Sequence, residues 1–251
     1  MKEQRYFYCP DLPAEPCAGM EGVLPDEESS HALRVLRLSE GDVLTLMDGR
    51  GLFCDARVAS ADRHRLCYRI EAVRPQQPEW NGHIHLAIAP TKMMERTEWL
   101  AEKATEIGCD ELSLLDCRFS ERRQVKTERI ERIVVSAVKQ SRKGWMPRVN
   151  AMAPFRQFIS EHKEGRRYIA HCYEEIARTE LYADLRARPI DKDDSALVLV
   201  GPEGDFAFEE VRMAIDAGFT SVSLGSSRLR TETAGLMAVT MMRLAATLKT
   251  Q

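Results

Sequence analysis

The chain has 251 residues, a formal net charge of −3 and 44% hydrophobic residues, which is the composition of a globular protein with a sizeable core. No apolar run approaches the ~20 residues of a membrane-spanning helix, so a bilayer span is excluded and a cytoplasmic location is expected. The seven cysteines form no CxxC pair, which argues against a disulfide framework or a zinc site; they are expected to be small buried apolar residues.

The first part of the chain predicts a small all-β unit. Strands are expected at 5–8, 43–47, 52–58 and 65–72, with turns at 41–42 and 48–51 and one short helix at 27–36. Short strands at this spacing indicate a small closed or half-closed β-barrel. Pro75-Gln76-Gln77-Pro78 fits neither a helix nor a central strand, so we expect domains at residues 1–74 and 75–251.

After this linker, strand-like and helix-like runs alternate, as in a parallel sheet with helices on both faces. Strands are predicted at 83–89, 112–115, 168–172, 196–200 and 221–224, and helices at 93–107, 127–143, 208–217 and 231–248. The run at 196–200 is continuously apolar, which is typical of a strand buried on both faces. The predicted fold class is therefore α/β with a parallel sheet.

The last helix carries an apolar stripe at spacings of three and four, and Thr231 is its expected N-cap. Most of this stripe is expected to pack in the core: Ala234, Met237, Met241, Leu244 and Leu248. Leu236, Val239 and Ala246 widen it beyond one face, so we expect a helix buried on two sides, with a second subunit as the additional apolar partner.

Charge is unevenly distributed along the chain. Residues 118–148 contain ten Lys or Arg against three Glu, a local charge of +7, and the remainder carries −10. A basic segment on an acidic chain is suited to attract phosphates at one face. A solvated helix face with local ion pairs explains the same pattern, and charge alone favours that explanation.

Two glycine-bearing turns each follow a strand-like run and open a helix, at Gly201-Pro202-Glu203-Gly204 and after Leu224 at Gly225. In open α/β sheets ligands bind beyond the carboxyl ends of strands, where glycines let backbone amides approach closely. No GxxxxGK[ST] occurs, and Gly49-Arg50-Gly51 lacks the third glycine of a dinucleotide motif. From these turns alone, a ligand site and a plain strand-to-helix turn both stay open.

The motifs resemble those of one known family. GPEGDF at 201–206, LGSSRLRTETA at 224–234, TKMMERTEWLAEKATEIGCDEL at 91–112, Gln140-Ser141-Arg142 and HALRVLRLSEGD at 31–42 are similar to the RsmE family of SPOUT methyltransferases. Members use S-adenosylmethionine to methylate N3 of a uridine in 16S ribosomal RNA of the small subunit. This chain departs from the common pattern at Asp205, where a glycine is frequent, and at Arg228, where an isoleucine is frequent.

The resemblance implies a PUA-like RNA-binding barrel, a C-terminal α/β domain with a deep trefoil knot, and a homodimer that completes the active site. Methyl transfer from S-adenosylmethionine to uracil N3 requires no metal. The resemblance also implies that the cofactor is held largely by backbone atoms at the strand ends: His171, Val200, Gly201, Pro202, Glu203, Gly204, Leu224, Gly225, Leu229 and Thr231.

For catalysis, Arg230 is the first choice, because its planar cation can stabilise charge on the uracil oxygens. A local ion pair with a nearby glutamate is the competing interpretation. Glu232 and Glu203 are possible proton acceptors, although an ordinary carboxylate is a weak base for an imide and both could instead cap helices. The expected RNA contacts are Arg34, Arg37, Lys92, Arg122, Arg123, Gln140, Arg142 and Lys143.

Two alternatives to this function stay open. One is another SPOUT specificity, such as 2′-O-ribose methylation. The other is a non-catalytic RNA-binding or ribosome-assembly factor that keeps the fold. His83 and His85 lie on one predicted strand face without a third metal ligand.

Overall fold

The computed structural model describes residues 5–247. They divide into two compact units: the residues up to Glu79 together with Val138–Met146, and the residues Trp80–Ala137 together with those from Pro147 onward. No helix among the described residues has the length and apolarity to span a membrane.

The first unit is built on a five-stranded sheet. Its strands are β1 (Tyr6–Tyr8), β2 (Glu21–Val23), β3 (Val43–Met47), β4 (Leu52–Ala61) and β5 (Leu66–Pro75), in the order β1-β3-β4-β5-β2. All pairs are antiparallel except β1 with β3. Every predicted strand of this unit is present, and β2 is additional. It was missed because its Gly22 carries no strand signal; Tyr68 occupies the space that a side chain there would need.

The helix of the first unit differs from the prediction of one continuous segment. Helix α1 covers Asp26–Ser30 and continues as a π-helical turn at His31–Val35. Arg34 lies in that turn, but Arg37 lies beyond it in a left-handed conformation, with φ of 52°. The expected shared helical face of Arg34 and Arg37 was therefore wrong, although both are exposed.

The second unit contains a seven-stranded, fully parallel sheet, which confirms the predicted α/β class. Its strands are β6 (His83–Ile88), β7 (Glu111–Asp116), β8 (Arg148–Pro154), β9 (Arg166–Ala170), β10 (Thr179–Glu180), β11 (Ser195–Val200) and β12 (Thr220–Ser223), in the order β10-β12-β9-β11-β6-β7-β8. Strand β11 lies between β9 and β6, and its residues from Ala196 to Val200 are buried, as the apolar run predicts.

Helices cover both faces of this sheet. They are α2 (Met94–Ile107), α3 (Thr127–Ser141), α4 (Phe155–Glu161), α5 (Leu181–Ala187), α6 (Phe208–Asp216) and α7 (Thr231–Ala245). Helices α2 and α5 pack against α7, which contacts β6 and β11, whereas α4 packs with α6, which contacts β9 and β12. Helix α3 begins in the second unit, and its residues from Val138 onward belong to the first.

Helix α7 packs through a different face from the one predicted. Val239 and Ala246, which were expected to widen the stripe, are buried, but the other buried residues form a face displaced from the predicted one: Thr231, Glu232, Gly235, Ala238, Met242 and Ala245. Met237 and Leu244, expected in the core, are 37% and 51% exposed, while Leu248 lies outside the described residues. The displaced face is buried because the helix backbone lies close to strand β6. A Cβ atom at Gly235 would lie 2.9 Å from the Ile88 side chain. The N-cap is Arg230, one residue before the expected Thr231.

The cysteines match their expected role only in part. All are free thiols. Cys9, Cys54, Cys109 and Cys117 are buried, Cys67 is half-buried, and Cys17 and Cys172 are exposed. Burial raises the pKa of Cys54 to about 11 and that of Cys109 to about 12. The buried cysteines therefore act as small apolar residues, whereas Cys17 and Cys172 do not.

Candidate functional site

A large cavity lies where three neighbouring parallel strands of the second unit end. Strands β12, β9 and β11 are adjacent, so the loops after their carboxyl ends converge. The cavity has a volume of about 1470 Å³. All residues predicted to bind a cofactor lie on its wall: His171, Val200, Gly201, Pro202, Glu203, Gly204, Leu224, Gly225, Leu229 and Thr231. The structure thus brings together residues that are up to 60 positions apart in the sequence, from 171 to 231.

Glycines form the cavity wall for two different reasons. A Cβ atom at Gly201 would lie 2.8 Å from the amide nitrogen of Phe206 and 3.1 Å from the carbonyl carbon of Asp205, so only glycine allows this turn. Gly225 has φ of 115° and no other heavy atom within 4 Å of its ideal Cβ position. The first glycine permits tight packing of the backbone, and the second leaves open space beside the β12 loop.

Asp205 joins two walls of the cavity. Its carboxylate accepts hydrogen bonds from the amide of Cys172 at 2.8 Å, after β9, and from its neighbour Phe206 at 2.8 Å, after β11. Its backbone is left-handed, with φ of 71°, a conformation that aspartate tolerates better than most residues. The carboxylate that replaces the common glycine therefore has a structural role, because it ties the β9 loop to the β11 loop.

We expect the stability of Asp205 variants to depend on the two hydrogen bonds of the carboxylate and on the left-handed backbone conformation. Asp205→Ala removes both hydrogen bonds and keeps a side chain at positive φ, which should cost about 2–3 kcal/mol in the free energy of unfolding. Asp205→Gly should cost less, since glycine relieves the backbone, and Asp205→Asn least, since it keeps an acceptor and tolerates this conformation. Urea unfolding of the three variants measures the order. An alanine variant at least as stable as the glycine variant would contradict this explanation.

His171 is fixed at the end of β9. Its Nε2 lies 2.7 Å from the Ser221 hydroxyl, its Nδ1 accepts the Tyr173 amide at 3.2 Å, and its carbonyl accepts Arg178 at 2.8 Å. Burial lowers the pKa of His171, so the imidazole is neutral at neutral pH. A neutral, oriented ring on this wall provides an uncharged contact for a ligand.

Arg230 lies on the cavity wall at the start of α7 and is exposed. Its side chain makes no hydrogen bond or ion pair with any of residues 5–247, and it contributes no cap to the helix. The local pair with Glu203, Glu209 or Glu232 is therefore not formed. Arg228 of the same loop is also exposed on the wall. The cavity thus has two guanidinium groups from one short loop.

Glu232 is buried and does not lie on the cavity wall. Its Oε1 lies 3.4 Å from Nη1 of Arg96, and its Oε2 has no hydrogen-bond partner within the described part of the chain. Arg96, from α2, does line the cavity. Glu232 therefore contacts a residue of the cavity wall, Arg96, but not the cavity itself. Arg96 lies within the motif at 91–112 but was not among the predicted site residues.

Glu203 links the β11 turn to a basic loop. Its carboxylate accepts the Lys92 amide at 2.8 Å, the Lys92 ammonium pairs with Glu121 at 2.7 Å, and Arg122 donates to the Lys92 carbonyl at 2.8 Å. Arg123 pairs with Asp116 at 2.7 Å. Lys92 and Arg122 therefore lie close to the cavity, as a site for a polyanionic substrate requires, whereas Arg123 is held at the end of β7.

The other predicted RNA contacts lie in the first unit. Arg34 and Arg37 are exposed, and so are Gln140 and Arg142. The guanidinium of Arg142 stacks on the Tyr6 ring at 5.7 Å from its centroid. Lys143 is only 7% exposed and pairs with Glu79 at 3.1 Å, so little of its ammonium is accessible to a phosphate.

Acidic residues from elsewhere in the chain neutralise much of the basic segment. Ion pairs join Arg118 to Glu209, Arg123 to Asp116, Arg129 to Glu98, Lys139 to Glu28, Lys143 to Glu79 and Arg148 to Glu111. The local excess of +7 along the sequence is thus reduced in three dimensions. Charge counting over 118–148 overestimated the attraction for phosphates.

The two strand histidines form a polar network away from the cavity. His83 lies 3.0 Å from Glu111, and His85 lies 2.8 Å from the Ser113 hydroxyl. The hydrogen bond from His83 lowers the pKa of Glu111 to about 2, and burial lowers that of His85 to about 4. Over residues 5–247, no group of three or more potential ligands is arranged to hold a metal ion.

Comparison with protein families gives two matches. A model described as an RNA methyltransferase domain matches residues 78–243, and one described as an RNA methyltransferase PUA domain matches residues 24–71. A curated relative, ribosomal RNA small subunit methyltransferase E of Mycobacterium bovis, is 30% identical over 245 residues, which cover 93% of this chain and 88% of the relative.

Solved structures agree with these matches. A probable rRNA methyltransferase from Porphyromonas gingivalis is 42% identical with a TM-score of 0.85, covering 96% of this chain and 98% of that one. Ribosomal RNA small subunit methyltransferase E from Neisseria gonorrhoeae, bound to S-adenosylmethionine, is 28% identical with a TM-score of 0.83 and the same coverage. The likeness extends over both units of the chain.

Proposed function

The chain belongs to the RNA methyltransferase family, and on this premise we propose that it transfers a methyl group from S-adenosylmethionine to N3 of a specific uridine in 16S ribosomal RNA of the small subunit. The cavity at the ends of β9, β11 and β12 carries this proposal. Relatives named for small-subunit rRNA methylation, one of them crystallised with S-adenosylmethionine, support the substrate and the cofactor.

The cavity has the properties that S-adenosylmethionine needs. Its turns at Gly201–Gly204 and Leu224–Gly225 place backbone polar groups at the wall, and Gly225 leaves space that a side chain would fill. His171, Leu229 and Thr231 complete the wall. When bound, S-adenosylmethionine supplies an electrophilic methyl group.

The residues of this chain contribute position and charge. Loss of the N3 proton leaves negative charge on the uracil oxygens, and we assign its stabilisation to Arg230, whose guanidinium lies on the cavity wall without a partner among the described residues. Glu232 orients Arg96, which adds a further cation at the wall. Both assignments are proposals for catalysis, and no residue is assigned as general base.

RNA placement involves both domains in this proposal, residues 1–74 as the PUA-like RNA-binding module and 75–251 as the methyltransferase. The exposed residues Arg34, Arg37, Gln140 and Arg142 supply phosphate contacts, together with Lys92 and Arg122 beside Glu203 and with Arg123 beside Asp116. Lys143 contributes least, because it is buried beside Glu79.

The proposed enzyme is a cytoplasmic homodimer whose C-terminal region is knotted. The exposed Met237 and Leu244 on α7 and Trp99 on α2 support a subunit contact, because they are large apolar side chains on two helices that pack against each other. A ribosomal substrate implies the cytoplasm. The knot follows from the resemblance to SPOUT methyltransferases.

The proposal predicts a methyl group on the base. Small subunits lacking the modification are incubated with the protein and S-adenosylmethionine, and the rRNA is digested to nucleosides for mass spectrometry. We expect 3-methyluridine. Methylated ribose would instead support the 2′-O specificity, and no heat of binding at millimolar S-adenosylmethionine in calorimetry would support a non-catalytic RNA-binding factor.

A further inference from the structure

A second, smaller concavity lies within the first unit. It is formed by α1 with its π-helical continuation and by the tip of the hairpin that joins β4 to β5. Its volume is about 290 Å³. Its wall includes Arg34, Arg63, His64 and Arg65, together with Asp26 and Ser30. Three arginines therefore share one small concavity with a single carboxylate.

These arginines differ from the others of the same sheet. Arg57 pairs with Glu71 at 2.6 Å, Arg69 with Glu21 at 2.5 Å and Arg74 with Asp55 at 2.7 Å. By contrast, the side chains of Arg34, Arg63 and Arg65 have no hydrogen-bond or ion-pair partner among residues 5–247. Three guanidinium groups beside the single carboxylate of Asp26, none of them in an ion pair with another described residue, leave an excess of positive charge that suits an external anion.

The hairpin tip is held in a defined shape. The Asp62 carboxylate accepts the amides of His64 at 3.0 Å and of Arg65 at 2.9 Å, and the Asp62 amide donates to the Arg65 carbonyl at 3.0 Å. The Asp62 carboxylate therefore forms hydrogen bonds to the backbone of its own turn. The side chains of residues 63–65 remain available, which favours a preformed site over one assembled on binding.

We propose that this concavity binds a backbone phosphate of the RNA substrate, with Arg63 and Arg65 of the hairpin tip as its ligands beside Arg34. This inference rests on the proposed function, since it specifies how the first unit holds the RNA. Guanidinium groups match phosphate oxygens with paired hydrogen bonds. Contacts of this kind fix the register of the RNA and carry no sequence information.

The test uses the full-length Arg63→Ala/Arg65→Ala variant and measures its affinity for 16S ribosomal RNA over a series of salt concentrations. Because both arginines bind the same phosphate, their loss should lower the slope of log affinity against log salt by about 0.7–0.9, the value for one phosphate. At low salt we expect about a tenfold weaker affinity. Calorimetry should show unchanged affinity for S-adenosylmethionine.

The matched control is Arg156→Ala/Lys163→Ala, which removes two exposed, unpaired cations from the second unit. An unchanged salt slope in the hairpin variant, or an equal fall in the control, overturns the proposal. If the hairpin variant loses thermal stability, Arg34→Ala/Arg63→Ala provides the same comparison. Binding is measured without methyl transfer, so this result stands even if the wild-type protein fails to methylate the RNA.

Discussion

Arg230→Ala should slow methyl transfer by about 100- to 1000-fold and leave the affinity for S-adenosylmethionine within about twofold, as expected for a charge that acts mainly in the transition state. The guanidinium is exposed on the cavity wall and has no partner among residues 5–247. Its removal therefore leaves no carboxylate unpaired. Although Arg230 is the N-cap of α7, its side chain makes no cap hydrogen bond, so the helix should not be destabilised.

Single-turnover transfer of a labelled methyl group measures the rate, and calorimetry measures cofactor affinity. Arg228→Ala is the matched control, because Arg228 is an exposed arginine of the same loop and lines the same cavity. It should change the rate only a few-fold. An unchanged rate for Arg230→Ala would remove Arg230 from the mechanism, and a parallel loss of cofactor affinity would make it a cofactor-binding residue instead.

The site was predictable where its signals are local in the sequence. The apolar run of β11, the turn at Gly201–Gly204 and the turn at Gly225 each occupy a few consecutive residues. The rule that parallel strands present their carboxyl ends at one edge then brings the loops together. His171 follows from the same rule, since β9 lies between β12 and β11.

The packing of α7 was not predictable from the same signals. Apolar periodicity gives most weight to large side chains, and it selected Met237 and Leu244 as core residues. The helix instead buries Gly235, Ala238 and Ala245, because small residues let its backbone lie close to the sheet. A stripe of large apolar residues and a stripe of small ones have the same spacing, and only the neighbouring elements decide which is buried.

Contacts between residues far apart in the chain could not be predicted from local sequence patterns either. The segment Val138–Met146 belongs to the first unit, where Lys139 pairs with Glu28 at 2.7 Å and the Gly51 amide donates to the Gly144 carbonyl at 2.9 Å. Arg96 and Glu232 are 136 positions apart. The elements β8, α4, β10 and α5 were missed because each has seven residues or fewer, which is too short for a periodic pattern to be recognised.

Gly201→Ala should weaken binding of S-adenosylmethionine by about 100-fold or more, because a displaced turn misplaces the backbone groups that hold the ligand. The added methyl carbon would lie 2.8 Å from the Phe206 amide nitrogen and 3.1 Å from the Asp205 carbonyl carbon. Both are backbone atoms, which cannot rotate away as a side chain would. The turn must therefore move, together with the Asp205 carboxylate that joins it to the β9 loop.

Gly204→Ala provides the comparison that separates packing from mere proximity to the ligand. A Cβ atom there would meet only the Phe119 Cβ at 3.8 Å, an ordinary contact, so the fold should be unaffected. Thermal unfolding should show a lower midpoint for Gly201→Ala and an unchanged midpoint for Gly204→Ala, while calorimetry reports cofactor affinity for both. Equal midpoints and equal affinities in the two variants would mean that the close backbone packing at Gly201 does not shape the site, since that packing is the property in which the two glycines differ.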